Sequence, residues 1–294
     1  MSSNATANRY EALLANVKSR GLSYSRCAEQ LAAETPRPLF LPGFDIGGFP
    51  NHLNRSSLIA PIARGQRKFH RQATMVTRRD CVLEYTGEQL DEADADLLMA
   101  LIASAKKFPV GAAVPLNRAE LLRRMERGTG KQQYEWLHRR LKAMTEATLF
   151  LEAMKPDRSI RYSIGKTVSF RIVAEFIYDD EIEVYTYRLD PRWVQMFGNE
   201  EYSLIDWEKR MQIGRGQDMA KTLQRLVATS SEPVQRYALV WLKAKMEYSG
   251  RMRDFKDALA RAVRELERLE IVCAGRVEVS TRGKLQLVLR NPAL

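Results

Sequence analysis

Three cysteines and three histidines are all that the 294-residue chain offers to thiolate or imidazole chemistry. Cys27, Cys81 and Cys273 are odd in number and widely scattered, without a CxxC pair or Cys/His ligand spacing. That excludes a disulfide framework and a zinc finger, and points to a reducing compartment. His52, His70 and His138 lie too far apart for a His-x-His metal pair, and without one a nickase-type nucleophilic tyrosine is not expected. No GxxxxGK[ST] phosphate loop is present, and the glycines of "GFDIGG" and "GRGQ" lack the strand-to-helix setting that would give them meaning. No apolar run reaches the ~18 residues of a membrane helix, and the polar start "MSSNATANRY" does not read as a signal peptide. These absences predict a soluble, cytoplasmic protein that uses no cofactor, no metal and no membrane, and that binds rather than catalyses.

What is present is positive charge. Lys plus Arg number 47 against 36 Asp plus Glu, a formal net charge of +11, which points to a polyanionic partner with nucleic acid first. With 45% hydrophobic residues, the length suits one large domain or two modest ones.

Residues 9–33 read as helical, broken at Arg20-Gly21, with Leu13, Leu14 and Val17 on one face, so 1–34 is expected as an N-terminal helical segment. "TPRPLFLPGFDIGGFPN" (35–51) is dense in Pro and Gly and lacks periodicity, and 35–57 reads as a linker. "CVLEYTG" then alternates like a strand. "LDEADADLLMALIASAKK" spaces Leu97, Leu98, Leu101 and Ile102 along one helical side. "LNRAELLRRME" is a second helix, with Asn117 as N-cap and Glu120 at capping-box spacing. "KQQYEWLHRRLKAMTEA" is a third. The strand-like "TLFLEAM", "IRYSIG", "VSFRIVAEFIYD" and "EIEVYTYRL" follow, the first two joined by the turn "KPDRS". The order then recurs. "QDMAKTLQRLVATS", "EPVQRYALVWLKAKM" (Pro233 near its first turn) and "RMRDFKDALARAVRELERLE" read as helices, before the β-like "IVCAG", "RVEVST" and "KLQLVLR". Three helices and then hairpins, twice over, predict an α+β fold of two tandem winged-helix domains, each a helix-turn-helix plus a β-hairpin wing, over 58–200 and 201–294.

One stretch runs against the net charge. "EYTGEQLDEADADLL" (84–98) gathers six carboxylates, and Asp94-x-Asp96 imitates the metal-binding pair of polymerases and primases. On a strand residues i and i+2 share a face, but on a helix they stand roughly 200° apart and cannot chelate one ion. The leucine spacing is helical, which puts Asp91, Glu92 and Asp94 in the first turns. There the positive end of the helix stabilises each by about 0.3–1 kcal/mol. "YDDEIE" (178–183) reads as a solvated turn. The carboxylates are therefore expected to be structural.

Two helices are candidates for reading DNA. On a wheel, Phe255, Leu259, Ala262, Val263, Leu266 and Leu269 gather on one side of the last helix. Arg253, Lys256, Arg261, Arg264 and Arg268 gather on the other, with the acidic residues mainly at the flanks. In the earlier helix Tyr134, Leu137, Leu141 and Met144 point inward, while Lys131, Gln132, Arg139 and Lys142 point outward. Gln suits adenine edges, Arg guanine edges, and Lys phosphates. Trp136 is expected to pack and His138 to be a surface residue. Arg158 and Arg161 in one hairpin, and Arg276, Arg282 and Lys284 in the other, sit where wings touch the sugar-phosphate backbone. Two helices in successive major grooves predict an asymmetric site of roughly 20 base pairs, since grooves on one face recur every ~10.5 base pairs.

The chain resembles the TrfA-type plasmid replication initiators from about residue 50 to its end. "PNHLNRSSLI" (50–59) is similar to their Pro-Asn…Arg-Ser-x-Leu start, and "YTGEQLDEADADLL" to their Tyr-Thr-Gly-x-x-Leu strand-to-helix step. "AKKFPVGAAVPLNRAELLRRM" matches the next helical junction, and "YSLIDWEKR" (202–210) the Trp-Glu-Lys opening of their second winged helix. This resemblance implies binding to direct repeats (iterons) at a plasmid origin, help in opening an adjacent A·T-rich segment, and recruitment of the host's replicative helicase and sliding clamp. It also implies a homodimer in equilibrium with an active monomer. The family's clamp-binding Gln-Leu-x-Leu-Phe corresponds here to "PRPLF": Leu39 and Phe40 are kept, while Pro36 and Arg37 replace the first two anchors. A transcriptional regulator or autorepressor with the same double winged helix is the alternative. A primase or nuclease built on Asp94, Asp96 and Asp179 is the rival from another class.

Overall fold

Apolar spacing that switches between periods of two and 3.6 lays out the elements. The computed structural model describes residues 39–62, 67–155, 157–165, 169–179, 184–198 and 201–292. The expected helical segment 1–34 and the acidic turn at 180–183 fall outside them. β1 (Gly48–Pro50) and the short α1 (Asn51–Arg55) come first. β2 (Phe69–Thr74) and β3 (Cys81–Glu88) form an antiparallel hairpin, and the alternation of β3 buries Cys81, Leu83 and Tyr85. α2 (Glu92–Ala105) starts at a reciprocal capping box: Asp91 accepts from the Asp94 N–H and Asp94 from the Asp91 N–H, each at 3.0 Å. β4 (Val114–Pro115), α3 (Arg118–Arg124) and α4 (Lys131–Glu146) follow. At α3, Asn117 accepts from the Glu120 N–H at 3.0 Å, but the Glu120 carboxylate pairs with Arg124 at 2.6 Å. The box expected there is one-sided.

β5 (Thr148–Met154) and β6 (Ile160–Ile164) extend the first sheet to the order β2-β3-β5-β6, and β7 (Phe170–Arg171) also pairs with β5. β8 (Glu175–Asp179) and β9 (Val184–Arg188) form a separate sheet with β4, in the order β4-β9-β8. "VSFRIVAEFIYD" is thus two strands and not one, because Ile172 and Val173 between them turn into the core. α5 (Trp193–Phe197), β10 (Tyr202–Leu204) and α6 (Trp207–Gln212) lead to the second unit. That unit runs α7 (Asp218–Val227), β11 (Val234–Ala238), α8 (Leu239–Lys245), α9 (Met252–Arg268), β12 (Ala274–Val279) and β13 (Leu285–Arg290), with sheet order β11-β13-β12. One apolar core extends from Leu41 to Ile205 and the other from Ile213 to Leu289.

Two expectations are corrected. The stretch expected as a linker enters the first core: β1 pairs with β10, Leu41, Phe49 and Leu53 are buried, and the Asn51 N–H donates to the Glu201 carbonyl at 2.8 Å. Its glycines serve close approach. Gly47 has φ +117°, and a Cβ there would meet the Ile205 carbonyl oxygen at 2.2 Å. "EPVQRYALVWLKAKM" is strand and then helix. Gln235 and Tyr237 alternate inward opposite Leu289 and Leu287 of β13, and only from Leu239 does the chain coil. Sheet pairing there overrides local helical propensity. Among the described residues, no helix is long and apolar enough to cross a membrane.

Candidate nucleic-acid interface

α9 presents the cleaner of the two cationic faces. Phe255, Leu259, Ala262, Val263 and Leu266 are buried, whereas Arg253, Arg261 and Arg264 are exposed and make no ion pair with any described residue. Lys256 is half-buried. Arg268 is different. It donates to both Glu265 carboxylate oxygens (2.9 and 2.8 Å) and to the Gln212 carbonyl (3.0 Å), so its fork already holds the end of α9 to α6. The same contact with Arg268, helped by the Gly214 N–H, holds the Glu265 carboxyl down at about 2.

α4 exposes Lys131, Gln132, Arg139 and Lys142 and buries Leu137, Leu141 and Met144. Trp136 is half-buried beneath the Arg127 guanidinium, 3.8 Å from its ring centre, and Arg127 also donates to Gln133 at 2.8 Å. His138, expected as a plain surface residue, is half-buried edge-on against Tyr178 (4.5 Å) and Phe176 (5.6 Å).

The two hairpins that follow these helices carry the remaining basic candidates. Arg158 stands exposed in the β5–β6 turn with φ +68°, while Arg161 on β6 is paired with Glu201. Arg282 and Lys284 are exposed beside Gly283 (φ +69°) in the β12–β13 turn, where a left-handed backbone favours glycine. Arg276 pairs with Glu278 at 2.9 Å. Leu39 and Phe40 are 54% and 48% exposed, directly before the buried Leu41.

The six-carboxylate stretch starts a helix and is structural, as expected, but it does more than face the helix end. Asp91 caps α2, Glu92 and Asp94 lie in its first turn, and Glu92, Asp94 and Asp96 are buried in ion pairs that the spacing did not predict. Glu92 accepts from Arg210 (2.8 Å), from Arg225 (2.5 and 3.0 Å) and from the Thr222 hydroxyl (2.6 Å). Asp96 accepts from Arg210 (2.5 Å) and Lys221 (2.7 Å). Asp94 accepts from Arg140 of α4 (2.7 and 3.0 Å) and from Arg67 (2.7 Å). Arg140, buried on α4, pairs with Glu88 as well. Burial alone would push the Glu92 carboxyl up, but the two guanidiniums outweigh it and hold it well below the usual carboxylate range. Asp91 shows the reverse balance: burial, and then the adjacent Asp94 charge, lift it to about 7.

Asp94 and Asp96 therefore face different cationic partners. Arg140 was legible in principle, because it stands three residues after Leu137 in the inner stripe. Arg210, Arg225 and Lys221 were not, being more than 110 residues from the carboxylates they meet.

No protein-family model and no curated protein sequence matches the chain. Solved structures do. Domains 2–3 of RctB are 12% identical over 82% of this chain and 97% of theirs, with a TM-score of 0.53. A selenomethionine form of the same domains gives 13% identity, 80% and 95% coverage, and a TM-score of 0.52. The Pi initiator protein in complex with iteron DNA gives 12% identity, 74% and 100% coverage, and 0.47. The likeness to the RctB domains establishes the fold as a tandem pair of winged-helix units.

Proposed function

We propose that this chain is a sequence-specific double-stranded DNA-binding replication initiator. In this reading it binds direct repeats at an origin, promotes opening of an adjacent A·T-rich segment, and recruits the host helicase and clamp in the cytoplasm. The observation that carries the reading is the pair of exposed cationic faces on α4 and α9. Arg139, Lys142, Arg253, Arg261 and Arg264 are exposed and make no ion pair with any described residue, on helices that each precede a β-hairpin. An unpaired arginine row on a reading helix suits base edges, while the turn cations Arg158, Arg282 and Lys284 suit phosphates. The motif resemblance to TrfA-type initiators supplies the origin and the partners. Action by binding and not by catalysis is supported by the pairing of Asp94 and Asp96 with guanidinium and ammonium groups.

The test is protection mapping on the DNA flanking the gene, with permanganate reactivity to detect unpaired thymines. Protection of several direct repeats and thymine reactivity in a neighbouring A·T-rich tract are expected. Protection of a lone palindrome inside a promoter, without strand opening, would assign the protein to transcriptional repression instead.

A further inference from the structure

We infer that Glu92, with Asp96, fixes the distance and angle between the two reading helices, so that half-site spacing is read as strictly as base sequence. The inference rests on the DNA-binding reading above and adds to it a residue set that touches no DNA.

The buried residues form two separate apolar cores; Ala228 packs against the first, and a set of polar contacts joins the elements between them. Arg225 reaches Glu92, Asn54 and the Ile59 carbonyl, the last at 3.1 Å. Arg55 donates to the Thr229 carbonyl (2.7 Å), Lys245 to the Ser56 carbonyl (2.9 Å), and Trp241 to the Thr77 carbonyl (3.2 Å). Polar contacts of this kind are directional: each demands a donor angle, where an apolar face would let helices slide. Buried ion pairs contribute little net stability, and their best-attested use is to select one arrangement over others.

Glu92 is the hub. It sits in the first turn of α2, and its two oxygens take four hydrogen bonds from side chains on α6 and α7. Four residues on, one helical turn later, Asp96 takes Arg210 and Lys221, so Arg210 is gripped by both carboxylates. On another side of the same helix turn, Asp94 holds Arg140 of α4. One turn of helix thus ties the reading helix of the first unit to the frame that carries α9. α7 packs directly against α9.

On B-DNA one added base pair moves the next groove by about 3.4 Å and turns it by roughly 34°. A rigid pair cannot follow such a change, whereas a loosely tethered pair keeps most of its effective concentration.

The probe is the duplex recovered by selecting the full-length protein on a random library, rebuilt with two base pairs inserted or removed between its half-sites, alongside each half-site alone. Wild type should lose at least about tenfold in affinity for the respaced duplexes. Glu92→Gln should bind half-sites within about twofold of wild type while losing less than about threefold on respacing. Should Glu92→Gln not fold, Thr222→Val removes a single donor to the same carboxylate and should flatten the profile part of the way. Spin labels placed by Glu146→Cys and Asp257→Cys, with Cys27→Ser and Cys273→Ser, should give one narrow distance in the otherwise unaltered chain. A folded variant whose spacing profile matches wild type, or a broad distance distribution, overturns the inference while leaving the DNA-binding reading intact. Failure of wild type to select any sequence overturns that reading, and the inference with it.

Discussion

Arg264 and Arg268 lie one turn apart on the same face of α9, yet they are not equivalent. Arg264 is exposed and makes no ion pair with any described residue, while Arg268 is spent on Glu265 and Gln212. Arg264→Ala is expected to lower affinity for the selected site roughly tenfold more than affinity for random duplex. Arg268→Ala should leave that ratio unchanged and show its effect in thermal stability. Competition binding measures both, and an equal loss on the two duplexes would assign Arg264 to phosphate. Asp91 offers a pH test. Its folded-state value, lifted to about 7, lies above the usual carboxylate range, so the folded chain holds a proton that the unfolded chain has released between pH ~4 and ~7. Stability contributed by this group therefore falls as pH rises through that window, at up to about 1.4 kcal/mol per unit, and levels off above it. Asp91→Asn keeps an N-cap acceptor. Its stability relative to wild type should improve from pH 5 to pH 8 in denaturant titrations, and a difference independent of pH would refute the assignment.

At the scale of elements, local pattern and distant pairing part company. α4 and α9 were legible because an apolar stripe repeats every three to four residues, and β3 because its burial alternates. β11 was not. "VQRYA" is neither apolar nor aromatic enough to announce a strand, and its partner β13 lies some 50 residues downstream. The supposed linker misled for a related reason: Gly47 and Gly48 look like flexible spacing, yet they allow the backbone to press against Ile205 and Phe44. The wing β12–β13 makes its own prediction. Replacing Arg282 and Lys284 with alanine should weaken binding to all duplexes by a similar factor. It should also reduce the slope of log affinity against log salt by about one to two, with base preference unchanged. A change in the selected sequence would place the wing on base edges instead.

For the whole molecule, a chain of net charge +11 spends part of its arginine internally. Arg140, Arg210 and Arg225 are buried on carboxylates, and Arg139, Arg253, Arg261 and Arg264 remain outside. Composition alone cannot separate these two groups, since both contribute equally to net charge, and only the fold sorts them. The acidic stretch that looked like an exception to a basic protein is what that internal arginine is for. The central claim is that α4 and α9 enter successive major grooves on one face of a duplex. Methylation interference on the selected site tests it most directly. The account predicts two patches of interfering guanines about 10.5 base pairs apart on the same face, in an asymmetric site of roughly 20 base pairs. A single patch, or two patches on opposite faces of the duplex, would contradict it.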